Sequence, residues 1–373
     1  MNIDDRLKDF LSKRVAENIF RSLQKNDDLI DFTSNDYLGL AKSAWIKQQI
    51  SFAINSTYKF HKIGATGSRL LEGNCTLYDE LEKNIAKHHH AETSLIFNSG
   101  YNANVGLVST VANKNDVIFY DEYVHASIHQ GIKLSGANAI AFKHNDVDDL
   151  EHKIQEHHDT KIKFIITESL FSMDGDIAEL NKISNISKMY NCNLIVDEAH
   201  ATGIFGEKGS GLCNYFGIEQ DCFARVYTYG KALGTHGAAI LGSSTLKNYL
   251  INFSKPFIYS TALNIYDLLS IQYAYEYISE FHAPKNKLFD NIQYFNNLMC
   301  DATLYSESPI FSYIVPSSDA CKLLSIKLRE HGVNAKAIVY PTVPKGKERI
   351  RIIMHSYNSK SEIEKLAKIL NAK

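Results

Sequence analysis

Residues 193–203, NLIVDEAHATG, run an apolar stretch, Leu194-Ile195-Val196, directly into Asp197-Glu198-Ala199-His200. Consecutive apolar residues without polar alternation are what a strand buried on both faces requires, and sheets covered on both faces are mostly parallel. The neighbouring segments repeat the form. SLIFN, DVIFYD, AIAFKH, KFIITE, RVYTYG and AAILGS are short β-rich runs, and DVDDLEHKIQEHH and IAELNKISNISKMY between them have the spacing of amphipathic helices. Buried strands alternating with helices predict an α/β fold with a mainly parallel central sheet. Ligands of such sheets bind beyond the carboxyl ends of the strands, which is where Asp197 stands.

Outside this region, Ile3, Leu7, Phe10, Leu11, Val15 and Ile19 share one helical side, so residues 3–23 are expected to form a helix. DLIDFTSNDYLGL reads as extended and ends in a glycine turn. Residues 262–300 read as a long connecting helix and its successor, and FSYIV, AKAIVY and RIRIIM as strands of a smaller C-terminal α/β domain. The expected division is an N-terminal segment 1–45, a large domain 46–265 and a small domain 266–373.

The 373 residues carry a net charge of −2 and are 45% hydrophobic, enough for one large core and a smaller one. No basic stripe offers the phosphate neutralisation that nucleic-acid binding needs. The tetrapeptide DEAH is shared with helicases, but those motors hold ATP in GxxxxGK[ST]. The Gly-Lys pairs here, Gly230-Lys231 and Gly346-Lys347, are followed by Ala and Glu, so the motor reading fails. Six cysteines form no CxxC pair and suit a reducing compartment. His88-His89-His90 and His157-His158 point about 100° apart at successive helical positions, so solvated helix faces are expected and no metal site. The N-terminal MNIDDRLKDF has no apolar signal region, and no run of about 18 uncharged apolar residues is present. A soluble cytoplasmic protein is expected.

TYGKALGTHGAA places Lys231 between Gly230 and Ala232, just after a β-rich run, where a flat cofactor could approach it. A carboxylate at one strand end and a lysine at another suggest pyridoxal 5'-phosphate. The lysine forms the Schiff base, and the carboxylate keeps the pyridine nitrogen protonated so that the ring is an electron sink.

From about residue 11 onward the chain resembles the α-oxoamine synthases, fold-type I pyridoxal-phosphate enzymes that condense an amino acid with an acyl thioester and release CO2. The resemblance rests on SNDYLGL, GATGSRLLEGN, NSGYNAN, DEYVHAS, TESLFSMDGD, VDEAHATGIFGEKGSG, TYGKALGTHGAA, FIYSTAL and YPTVPKGKERIRI, in that order. It implies Lys231 as Schiff-base lysine and later as the base at Cα, Asp197 against the pyridine N–H, His200 at the phenolic oxygen and His125 flat on the opposite ring face. It also implies Gly100 and Tyr101 at a helix start that meets the phosphate or flanks the ring, and Ser172 and Thr228 as hydroxyls nearby. Ser260 and Thr261 would reach the phosphate of a neighbouring subunit, giving a homodimer with composite sites. Arg351 would fork onto the amino-acid carboxylate, with Thr342 beside the substrate.

Members of this family use alanine with pimeloyl thioester, glycine with acetyl-CoA or succinyl-CoA, or serine with palmitoyl-CoA. SRLLEGN and KPFIYSTAL resemble the first, and KRVAENIFRSL places Arg21 where that enzyme meets the acyl substrate. The acyl carrier is CoA or a carrier protein. Between Arg21 and SNDYLGL the chain is shorter than typical members by about one hairpin.

Overall fold

The computed structural model describes residues 2–26, 28–58, 62–157, 162–299 and 304–372. Its strands are β1 (Ile30–Asp31), β2 (Thr93–Phe97), β3 (Val117–Asp121), β4 (Asn138–Phe142), β5 (Lys163–Glu168), β6 (Asn193–Asp197), β7 (Cys222–Thr228), β8 (Ala238–Gly242), β9 (Ile310–Ile314), β10 (Val333–Asn334), β11 (Lys336–Ile338) and β12 (Arg349–Ile353). The chain divides into two compact units. The larger comprises Asn35–Ser172 and Asp176–Asn286; the smaller comprises the residues up to Ser34, Met173–Gly175 and those from Lys287 onward.

In the larger unit seven strands form one sheet in the order β2-β8-β7-β6-β5-β3-β4. Every pair among β3 to β7 is parallel, as the sequence predicts. Phe164, Ile165 and Ile166 of β5 and Leu194, Ile195 and Val196 of β6 are all buried, which is why these strands lack polar alternation. β8 alone runs antiparallel, to both β2 and β7. The connection from Thr228 to Ala238 is too short for a parallel crossover, which takes a dozen or more residues. That tight return carries Lys231. It is closed by hydrogen bonds from Gly234 N to Lys231 O (2.8 Å) and from Tyr229 N to Gly237 O (3.0 Å). Gly234 has φ 62°, and a Cβ there would lie 2.2 Å from the Ala41 nitrogen, so only glycine fits the turn.

The glutamate of DEAH has a structural task. Glu198 is wholly buried and accepts from Leu212 N (2.9 Å), Cys213 N and Ser169 Oγ (2.9 Å). It satisfies the unpaired amides that begin the helix Leu212–Phe216 and fixes that segment against the end of β6.

The smaller unit holds an antiparallel sheet β11-β12-β9 and a parallel pair of β1 with β10. Its N-terminal helix spans Ile3–Ala16 and does not continue to residue 23. Asn18 takes a left-handed conformation (φ 53°) that stops it. Its side chain donates to Asp319 (2.7 Å) and accepts from Lys322 (2.8 Å), while Arg329 holds Asn26 (2.6 Å). Residues 19–26 form no helix or strand. No residue of the helix is buried; Leu7 and Phe10 are each more than half exposed.

The unit boundaries differ from the expected 45/46 and 265/266. The helix Ile265–Glu280 falls in the larger unit because Tyr273 and Tyr277 pack edge-on against Trp45.

His88–His90 are not a solvated face. His89 is fully buried, with Nδ1 at 2.9 Å from Ser210 O and Nε2 at 2.8 Å from the Tyr275 hydroxyl, and His88 is half-buried beside Tyr275; only His90 is exposed. His157 approaches Lys153 O at 3.0 Å, and His158 lies outside the described residues. Among the described residues no helix is long and apolar enough to cross a membrane, and no three His, Cys, Asp or Glu side chains converge as metal ligands.

Candidate active site

The larger unit brings His125, Asp197, His200, Thr228 and Lys231 to the carboxyl ends of β3, β6 and β7. Asp197, the last residue of β6, is 5% exposed. Its Oδ1 accepts from Ala199 N (2.9 Å) and its Oδ2 from Asn104 Nδ2 (2.7 Å). The same amide nitrogen reaches Ser127 Oγ (3.0 Å), which lies 2.7 Å from His125 Nδ1. A hydrogen-bonded line thus runs from the buried carboxylate through the buried Asn104 and Ser127 to the imidazole of the exposed His125. A carboxylate has about four acceptor positions, so Asp197 keeps capacity for a further donor.

His200 follows Asp197 by three residues and lies 2.6 Å, through Nδ1, from the hydroxyl of the buried Tyr37. Thr228 ends β7, and its Oγ1 meets Ala199 O at 3.4 Å. Gly100 opens the helix Gly100–Val111, capped by Ser99 Oγ on Asn102 N (3.2 Å). A Cβ on Gly100 would lie 2.4 Å from Thr228 Cγ2, so the helix start can approach β7 only as glycine. Tyr101 beside it is half exposed. Ser172 lies half-buried in a hairpin closed by the Leu170–Ile177 bridge. In the 260–261 stretch Ser260 is half-buried, Thr261 is exposed, and the Thr261 carbonyl meets Asn98 Nδ2 at 3.4 Å.

Burial lowers the His125 imidazole below its ordinary value; Asp197 opposes that effect, and Lys231 and His129 add to it. Glu168, paired in register with Asp197 on β5, is fully enclosed, with Oε1 lacking any hydrogen-bond partner. Burial, then repulsion from Asp197, pushes its carboxyl up to about 8, against the pull of Lys231. The field of Asp197 and Lys231 therefore reaches both His125 and Glu168.

In the smaller unit Arg21 Nη2 donates to Thr342 Oγ1 at 3.4 Å. Both line a cavity of about 780 Å³ whose walls include Phe20, Ile326, Ile338 and Val339. Arg351 sits in β12 opposite Ser312 and Lys336, 7% exposed.

These residues fit pyridoxal phosphate. Asp197 has unused acceptor positions for a ring N–H, the twelve-residue helix starting at Gly100 presents amides to a phosphate, and a lysine stands on the neighbouring strand return. Tyr37, Asn104, Ser127, Glu168 and Glu198 were not singled out by sequence reasoning. All lie inside quoted motifs; Glu168 and Glu198 could have been marked by polar character at an expected buried strand end, whereas Tyr37, Asn104 and Ser127 carry no such local signal.

The sequence profile of the aminotransferase class I and II family matches residues 27–370. The chain belongs to that family. It is 38% identical over 362 residues to the 8-amino-7-oxononanoate synthase of Emericella nidulans, covering 90% of this chain and 87% of the relative. It is also 38% identical over 336 residues to the synthase of the same name from Lysinibacillus sphaericus, covering 89% and 85%. Among solved structures, 8-amino-7-oxononanoate synthase from Francisella tularensis superposes with a TM-score of 0.78 at 33% identity, covering 92% of this chain and 97% of that one. Sphingomonas wittichii serine palmitoyltransferase superposes with a TM-score of 0.91 at 24% identity over 100% and 98%, a likeness of fold.

Proposed function

We propose that the chain is a pyridoxal-phosphate-dependent acyltransferase that condenses L-alanine with a pimeloyl thioester, giving 8-amino-7-oxononanoate, CO2 and the free thiol in biotin biosynthesis. The observation that carries the reading is the hydrogen-bonded line Asp197–Asn104–Ser127–His125 beside Lys231. Its substrate assignment rests on the relatives' names. Bound there, pyridoxal phosphate supplies a sink for the electron pair left at the amino acid's Cα.

The chain's own residues do the rest. Lys231 Nζ holds the cofactor and takes the proton from Cα. Asp197 accepts the pyridine N–H, and Asn104 holds that carboxylate in place. His200, held through Nδ1 by the Tyr37 hydroxyl, would meet the phenolic oxygen. His125, oriented by Ser127, would face the ring and steer the substrate. The amides at Gly100 and Tyr101, with the hydroxyls of Ser172 and Thr228, hold ring and phosphate. Arg351 grips the amino-acid carboxylate through two parallel hydrogen bonds. Arg21 and Thr342 meet the acyl substrate, whose apolar chain matches the walls of the cavity they line. The working form is a cytoplasmic homodimer in which Ser260 and Thr261 serve the other subunit's phosphate; the exposure of Tyr259 and Thr261 supports this.

The test offers alanine, glycine and serine against pimeloyl, acetyl, succinyl and palmitoyl thioesters, with products read by mass. Alanine with pimeloyl thioester should give the highest kcat/KM. A higher value for glycine with acetyl-CoA or succinyl-CoA would remove the biotin assignment and leave the family.

A further inference from the structure

His144 follows β4 by two residues and reaches two carboxylates at once. Its Nδ1 lies 3.0 Å from Asp121 Oδ1 and 3.2 Å from Oδ2, and its Nε2 lies 2.8 Å from Asp176 Oδ2. Ionised carboxylates only accept, and a neutral imidazole has one N–H, so both contacts are satisfied only by the doubly protonated ring. Tyr123 stacks on that ring at 4.5 Å, and Phe171 meets it edge-on at 4.4 Å.

Each carboxylate anchors a different loop. Asp121 is fully buried at the end of β3 and accepts from Tyr123 N (2.8 Å), which fixes the turn leading into His125. Asp176 stands in the return arm of the hairpin that carries Ser172, where its carbonyl accepts from Phe171 N (3.0 Å). Asn145 repeats the bridge, with its N–H on Asp121 (2.9 Å) and its side-chain amide on Asp176.

We propose that His144, as an imidazolium held between Asp121 and Asp176, is a positioning residue that sets the spacing between the His125 turn and the Ser172 hairpin. The catalytic part of this rests on the function proposed above. Burial disfavours the charged ring, but the two carboxylates outweigh it and lift the group to about 10. Glu122 also faces the residue, its carboxylate accepting the His144 backbone N–H at 3.2 Å. Since the folded value lies above the unfolded value of 6.5, the stabilisation is complete below about pH 6.5 and is lost as pH rises toward 10. The clamp is therefore a fixed cation at neutral pH.

Two readouts test it on the cofactor-loaded enzyme. Nitrogen-15 NMR of labelled histidine should show both His144 ring nitrogens protonated at pH 8; one bare nitrogen at pH 7 overturns the proposal. His144→Gln, assayed well below its melting temperature, should lose about 10-fold in kcat while its cofactor content and amino-acid KM change by less than about 3-fold. A fully loaded His144→Gln enzyme with wild-type kcat overturns it too. Should that variant fail to fold, Asp176→Asn replaces it. There the His144 ring should titrate at least about one unit lower, and an unchanged titration sinks the idea. An inactive wild type would count against the proposed function, and the NMR result would still decide the clamp.

Discussion

The hydroxyl of Tyr37 lies 2.6 Å from Nδ1 of His200, and both side chains are almost wholly buried. A short bond there fixes which way the imidazole faces. Tyr37→Phe removes the hydroxyl and frees the ring, at a cost of about 1–1.5 kcal/mol. Turnover should fall by about 10-fold with the fold and cofactor content unchanged. Wild-type kcat in Tyr37→Phe would show that the contact does not orient His200.

Asp197 is held by Ala199 N and Asn104 while retaining acceptor capacity. Asp197→Asn keeps the shape and removes the charge that favours a protonated ring nitrogen. Loss of at least ~2 kcal/mol of transition-state stabilisation, about 30-fold in kcat/KM, is expected. A rate near wild type would make Asp197 a structural residue.

Glu168 carries a pH signature. Its folded-state value of about 8 lies above the unfolded 4.5, so the unfolded chain releases this proton first as pH rises. The carboxyl's contribution is complete below about pH 4.5 and is lost as pH climbs through 8. Glu168→Gln mimics the protonated acid. The variant should melt near the wild-type temperature at pH 5 and above it at pH 9. A constant difference between the two proteins across that range contradicts a raised Glu168.

Composite sites predict complementation. A Lys231→Ala subunit mixed with a Thr261→Ala subunit should restore one good site per heterodimer, so activity should exceed that of either variant alone. Verified heterodimers without recovered activity would mean that each site is built from one chain.

The sheet was legible because β5 and β6 are buried on both faces, which leaves runs such as Phe164–Ile166 and Leu194–Val196 unmistakably apolar. The end of the first helix was not. Its periodicity runs on through Ile19, and what stops it is Asn18 bonded to Asp319 and Lys322, some 300 residues away in sequence. The same limit hid the histidines: His89 is buried because Ser210 and Tyr275 close over it, and no local pattern announces partners so remote. Asp197, His125 and Lys231 stood out through their motifs. Asn104, Ser127 and Tyr37, which hold Asp197, His125 and His200 in place, became visible only as distances.

The most direct test of the account is where the cofactor attaches. Protein purified with pyridoxal phosphate should be yellow, and borohydride reduction followed by peptide mass mapping should place a pyridoxyl group on Lys231. Lys231→Ala should stay folded, carry no such adduct and lose turnover. An adduct on another lysine, or near-full activity in Lys231→Ala, would contradict the central claim.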